Sequence, residues 1–210
     1  MILVVTAVDA ERDAVMRGVA AAPAAPVQVV AGGIGPVAAA IATAHLLAAA
    51  PPYELVICAG IAGGFRDRIE VCDIAVADRV TFADLGVRTD AGFLTLDEMG
   101  LQQESSYVAS DSELSKRLTQ SVTGEILTLA CMTGIDDDAQ QLAARHPAAV
   151  AEAMEGFGVA AAAHRAGVPF AEIRAISNLI GRRDRSSWNM AGAFDALTRA
   201  FAELVKEPLP

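Results

Sequence analysis

Short, continuous apolar runs that stop at glycine or polar residues and give way to helical stretches constrain this chain more than any other feature. Ile2 to Val5, Val27 to Ala31, Tyr53 to Cys58 and Phe170 to Ile176 have the length and composition of buried strands. Between them lie helical stretches: one follows Thr6-Ala-Val-Asp-Ala-Glu11 and runs through Val19, and an alanine-rich one spans Val37 to Ala49. Such alternation specifies an α/β layered fold. Further strand patterns fall at Val71 to Val80 and Glu125 to Met132. Asp111 to Gln120 reads as a helix with Leu114 and Leu118 at i, i+4 spacing, and Phe194 to Val205 as an amphipathic helix ending before Pro208. Ala21 to Pro26 is a Pro/Ala connection, and Thr81 to Gly100 reads as loop plus a short hairpin. No repeat, linker or charge block divides the 210 residues, so one domain over 1–210 is expected.

Charge and composition exclude whole classes of partner. With 16 Lys and Arg against 26 acids and a net charge of -10, the chain lacks the basic surface that a phosphate backbone requires. It is 53% hydrophobic, yet no apolar stretch is long enough without Pro, Gly or charge to read as a membrane span. The start, Met1-Ile-Leu-Val-Val-Thr-Ala, has no basic n-region and enters a strand directly; a cytoplasmic protein without a signal peptide is therefore expected. Cys58, Cys72 and Cys131 sit singly in apolar segments, as reduced core thiols do. His45, His146 and His164 are isolated, so neither metal nor cofactor is expected. Asp136-Asp-Asp138 reads as a solvated turn and helix start rather than a cation site, because no further oxygen ligands stand at defined spacing.

Candidate functional residues gather where strands end. Glycines in Gly32-Gly-Ile-Gly35-Pro36 either admit backbone amides close to a ligand or simply make a tight turn, and the dinucleotide spacing is not met. A second glycine-rich loop, Ala59-Gly60-Ile61-Ala62-Gly63-Gly64-Phe65, follows the third strand. Glu11, near the first turn of its helix, is either a solvated helix-start charge or a catalytic one. In Glu152-Ala-Met154-Glu155 through His164, good helix formers carry Glu155 near the start of an apolar run. A carboxylate there needs donors, so Glu155 is either a helix-start charge or a group that meets ligand hydroxyls. Ser177-Asn178 at the carboxyl end of a strand, followed by Gly181-Arg182-Arg183-Asp184-Arg185 and the lone Trp188, is either a site rim or a polar loop.

Met154-Glu155, Arg174-Ala-Ile-Ser-Asn178 and the two glycine-rich loops resemble the purine nucleoside phosphorylase and nucleosidase superfamily, over Val4 to about Leu197. Within it, Ser177-Asn-Leu-Ile-Gly-Arg-Arg-Asp-Arg-Ser-Ser-Trp188 is similar to the futalosine hydrolases, nucleosidases of the alternative menaquinone pathway. The resemblance implies a three-layer α/β/α fold whose mixed, partly barrel-like central sheet lies between helices, and a homo-oligomer, dimer or tetramer, that acts on a small nucleoside with water. It implies catalytic roles for Glu11, on the attacking water, and Asn178, on the base. It further implies that Glu155 accepts from the ribose hydroxyls while Met154 packs on the sugar, and that Gly60, Ser177, Arg185 and Trp188 belong to the substrate site. Phosphorylases of the superfamily place an Arg two residues before the first glycine of the second loop and a Ser or Thr just after it. Cys58 and Ile61 stand there instead and cannot serve a phosphate dianion, which points to water unless an Arg from another segment substitutes. Asn178, where adenine-specific nucleosidases carry Asp, favours a 6-oxopurine such as hypoxanthine. The alternatives are a 6-oxopurine nucleoside phosphorylase or another purine nucleosidase of the methylthioadenosine/S-adenosylhomocysteine type.

Overall fold

Leu3 and Val5 of the first strand, β1 (Ile2–Thr6), pack into one apolar cluster and Ile2 and Val4 into another. The strand is therefore buried on both faces, as a parallel strand between helical layers must be. The computed structural model describes residues 1–20, 26–49, 52–101, 104, 106–109 and 112–206. Positions 21–25 of the expected Pro/Ala connection, Asp111 and Pro208 lie outside the described residues. In chain order β1 is followed by α1 (Asp9–Val19), β2 (Val27–Ala31), α2 (Pro36–Ala49), β3 (Leu55–Gly64) and β4 (Ile74–Phe82). Then come the hairpin β5 (Gly86–Thr89) and β6 (Gly92–Thr95), β7 (Ser106–Val108), α3 (Ser112–Arg117), β8 (Ser121–Thr128) and α4 (Asp136–Arg145). The chain ends with β9 (Ala149–Ala153), α5 (Gly156–Ala166), β10 (Phe170–Leu179), a 3-10 turn at Arg185–Ser187 and α6 (Met190–Leu204).

The sheet closes on itself. β2, β1 and β3 run parallel, and β3 then pairs with β10 on one side and antiparallel with β9 on the other. Because β10 continues to β4, β4 to β8 and β8 to β9, strands β3, β10, β4, β8 and β9 form a mixed five-stranded barrel with β1 and β2 as its extension. One apolar cluster joins β1 to Ala39 of α2 and to Val159, Ala160 and Ala163 of α5. The other joins it to Ala14 and Val15 of α1 and to Ala196, Leu197, Ala200 and Phe201 of α6. The three layers and the partly barrel-like mixed sheet expected from the sequence are thus present.

Several boundaries differ, for one physical reason. β3 does not end at Cys58 but runs through Ala59 to Gly64, and β10 includes Ser177 and Asn178. Glycine lowers strand propensity, so the segment reads as loop. In the closed barrel, however, side chains of neighbouring elements occupy the space a Cβ would take, and glycine is what permits the strand. A Cβ on Gly64 would lie 2.8 Å from Ile69 Cγ2 and 2.9 Å from Ile176 Cγ2. Similarly, Glu152 lies in β9 rather than at a helix start, and α5 begins only at Gly156. β4 and β8 are each shifted by a few residues from the expected runs, and β7 carries no apolar pattern that announces it. The Asp136 cluster does open a helix, where its charges meet the positive end of α4.

α5 crosses the start of α2 so closely that a Cβ on Gly158 would lie 2.1 Å from the Pro36 carbonyl oxygen. Gly158→Ala is therefore expected to destabilise the fold by about 1–3 kcal/mol through overpacking. Urea unfolding checks this, and a midpoint equal to that of the parent would show that the α2–α5 crossing yields freely.

Candidate active site

Three carboxyl groups and one guanidinium meet beyond the carboxyl end of β1, beside the middle of β3 and β10 and at the start of α5. Arg174, only 1% exposed, donates from Nε to Glu172 Oε1 at 2.8 Å and from Nη2 to Glu155 Oε2 at 3.2 Å. Its Nη2 also lies 3.1 Å from Cys58 Sγ, and Nη1 lies 3.4 Å from the Ile61 carbonyl. Burial opposes the charge of Arg174, but Cys58, Glu172, Glu155 and Glu11 around it hold its pKa well above the ordinary value. Burial pushes the Glu172 carboxyl up against the pull of Arg174, and it pushes the Cys58 thiol well up.

Glu11 and Glu155 are aimed by backbone amides. Glu11 Oε2 accepts from Ala7 N at 2.9 Å and Val8 N at 3.3 Å, reaching back over the start of its own helix, while Oε1 accepts from Ile61 N at 2.9 Å. Glu155, at the N-cap of α5, accepts from Gly35 N at 3.1 Å through Oε1. The first glycine loop thus brings a backbone amide to a carboxylate of the chain itself, with Gly33 and Gly35 in the left-handed conformation that the turn requires. Each carboxylate keeps lone pairs free. Gly60 has no room for a side chain, since its Cβ would lie 2.5 Å from Glu11 Oε1 and 2.8 Å from Arg174 Nη1.

Glu11 and Glu155 of this cluster border a cavity of about 560 Å3. Glu11, Met154, Glu155, Ser177, Asn178 and Trp188 all line it. Gly60 and Arg185 do not: Gly60 lies behind Glu11 and Arg174, and Arg185 lines an adjoining cavity of about 790 Å3 with Arg66, Arg182 and Arg183. Arg183 and Arg185 stand 5.5 and 5.9 Å from the Trp188 ring centroid, within cation–π range. A register shift in β10 between Ile176 and Asn178 turns Ser177 toward the Ala62 carbonyl, 3.2 Å away. Ser177 Oγ also lies 2.8 Å from Asn178 Oδ1, and Asn178 Nδ2 donates to the Leu179 carbonyl at 3.2 Å. One amide proton of Asn178 is therefore engaged within the chain, leaving one for a ligand instead of two.

The cavity contains a third carboxyl group that the sequence pattern hid. Glu152 is 1% exposed and accepts from Thr133 N at 3.1 Å and Thr133 Oγ1 at 2.6 Å. Burial pushes its carboxyl up, against these two bonds. Arg174 and Glu172 also went unassigned. Their signal was present, because opposite charges two residues apart in an apolar strand share a face and must pair when buried.

A family model for the phosphorylase superfamily matches residues 14–209. The chain belongs to the phosphorylase superfamily. It is 41% identical to a futalosine hydrolase of Streptomyces coelicolor, covering 97% of this chain and 94% of that one. It is 43% identical to a futalosine hydrolase of Acidothermus cellulolyticus, covering 96% and 89%. The fold also matches a solved 5'-methylthioadenosine/S-adenosylhomocysteine nucleosidase of Colwellia psychrerythraea in complex with adenine, with a TM-score of 0.78, 23% identity and coverage of 97% and 95%.

Removing the one cation from this cluster would leave buried carboxyl groups without a counter-charge. Arg174→Met is expected to cost about 3–5 kcal/mol of stability, with Arg174→Lys less damaging. Chemical denaturation of the two variants checks this; a loss below about 1 kcal/mol for the Met variant would mean that the carboxyl groups discharge by protonation at little cost.

Proposed function

We propose that the protein is a nucleosidase that hydrolyses the N-glycosidic bond of futalosine, releasing hypoxanthine, as a step of menaquinone biosynthesis. The observation that carries hydrolysis over phosphorolysis is the charge at the site. A phosphate dianion placed beside Ile61 would face Glu11 and Glu155, and the nearest guanidinium, Arg174, is already bound by Glu155 and Glu172. Water carries no charge and meets no such repulsion. The full-length similarity to futalosine hydrolases supports the substrate. The unpaired thiols support a reducing, cytoplasmic setting.

N-glycosidic cleavage passes through an oxocarbenium-like sugar. Glu155 accepts from the 2'- and 3'-hydroxyls, bonds that strengthen as positive charge develops, and Met154 packs against the ribose. Glu11 orients the water and takes its proton; the amides of Ala7, Val8 and Ile61 fix where that carboxylate stands. Asn178, its amide oxygen turned toward Ser177, offers its free N–H to the acceptor edge of the base. Trp188 and the Arg182, Arg183 and Arg185 guanidiniums around it receive the carboxyphenyl tail, a flat ring that ends in a negative charge.

Incubation with futalosine in phosphate-free buffer, with hypoxanthine followed by chromatography, tests the reading. Full turnover without phosphate is expected, and a strict phosphate requirement would make the protein a phosphorylase. Glu11→Gln is expected to bind futalosine normally and lose about 100- to 10,000-fold in turnover, because an amide cannot take the proton.

A second copy of the chain completes the assembly in this reading. Ile34, Val37 and Ile41 are 62%, 71% and 66% exposed on one stretch of α2 and its approach, and Ile34 also lines the cavity. Such an apolar strip beside a site fits a homo-oligomer interface. Val37→Asp is expected to shift the protein toward monomer in light scattering; an unchanged mass would place the interface elsewhere.

A further inference from the structure

Glu152, Gly63 and Asn178 stand in register on three adjacent strands. Gly63 pairs with Glu152 across the β3–β9 ladder and with Asn178 across the β3–β10 ladder. Paired residues share a face, and two strand spacings put Glu152 and Asn178 about 10 Å apart along the backbone, with a glycine between them. A Cβ built on Gly63 would lie 2.8 Å from Ile180 Cγ2, 3.5 Å from Glu152 Cγ and 3.6 Å from Asn178 Nδ2, so an Ile180 methyl takes the space beside the glycine and the two polar side chains flank it. All three residues line the cavity. The result is a slot with Gly63 at its middle, a donor at one end and a carboxyl group at the other.

The carboxyl group at the far end is built in. Thr133 holds both of its oxygens, one through its amide and one through its hydroxyl. Asp84 in turn accepts from the amides of Ala130 and Cys131, which fixes the segment that carries Thr133. Two bonds leave about two of the four acceptor positions of a carboxylate free, on a side chain that lines the cavity. A buried carboxylate with unused lone pairs calls for a donor from whatever fills the cavity.

We propose that Glu152 is a specificity-determining residue that accepts a hydrogen bond from the N1–H of a 6-oxopurine, opposite Asn178 across Gly63. The edge of such a base presents N7 and O6 as acceptors and then N1–H as a donor, in that order. Asn178 has one free N–H for the acceptor end, and Glu152 supplies the acceptor for the donor end. A 6-aminopurine presents a lone pair at N1 and would set it against the lone pairs of Glu152. The selection against adenine thus comes from a repulsive contact as well as from a lost bond. This inference rests on the nucleosidase reading, because it assigns the base half of that same cavity.

Calorimetric titration of the protein with hypoxanthine, 1-methylhypoxanthine and adenine tests it without requiring turnover. The parent protein is expected to bind hypoxanthine at least about 10-fold more tightly than either other base. Glu152→Gln keeps the size of the side chain but turns a donor toward N1, and is expected to remove most of that preference while lowering kcat/KM for futalosine by a similar factor. Thr133→Val, which frees one carboxylate oxygen, is expected to weaken the preference less. Equal binding of hypoxanthine and 1-methylhypoxanthine by the parent would overturn the inference even if the Gln variant failed to fold, and so would an unchanged preference in a folded Gln variant. In both of those cases, continued cleavage of futalosine by the parent leaves the nucleosidase reading standing; no cleavage of futalosine at all overturns both.

Discussion

The buried guanidinium of Arg174 is the interaction on which the site depends. Glu11, Glu155 and Glu172 cannot be brought together in a dry interior without a cation, and Arg174 supplies it through Glu172 on one side and Glu155 on the other. Its planar fork matters as much as its charge, since Nε meets Glu172, Nη2 meets both Glu155 and the Cys58 sulfur, and Nη1 meets the Ile61 carbonyl. Cys58 next to it is pushed up by burial, so it adds no further negative charge. The same arrangement that stabilises the acids also engages the guanidinium that lies against the Ile61 carbonyl.

Closing the sheet is what permits this density of polar groups. β3 carries glycines at positions 60, 63 and 64, and each marks a different close approach: to Glu11 and Arg174, to Ile180 between Glu152 and Asn178, and to the packed side chains of Ile69 and Ile176. The barrel therefore has one polar end, where strands deliver side chains and glycines make room, and apolar flanks under α1 with α6 and α2 with α5. Backbone amides from two turns, at Ala7–Val8 and Gly35, hold the acids that face the cavity. Those carboxylates are thus positioned before any ligand arrives, the condition under which electrostatic groups act most strongly.

Much of this was legible in the chain. Short apolar runs alternating with helical stretches require buried strands between helices, because only that arrangement covers both faces of each strand. Polar residues at the ends of such strands mark a crevice, and Glu11, Ser177 and Asn178 do line one. The departure of Cys58 and Ile61 from the residue types that the phosphorylases carry there was readable without coordinates. Glu152 was hidden because it sits among helix formers, and one-dimensional periodicity does not show which neighbours a strand acquires across a barrel; Glu172 and Arg174, two residues apart in an apolar strand, did carry the sign of a buried pair.

The sequence by itself determined the layers and the residue types available for chemistry, since these follow from local periodicity and the cost of burying unpaired charge. Only the tertiary structure decided that Gly60 makes space instead of touching the cavity, that Arg185 lies in the adjoining cavity, and that Asn178 has a single amide proton to offer. It alone placed Arg174 beside Glu155, and Glu152 across Gly63 from Asn178. The physical reason is closure: pairing β10 with β3 and β3 with β9 joins segments some 90 to 115 residues apart, and hydrogen-bond register fixes which side chains meet.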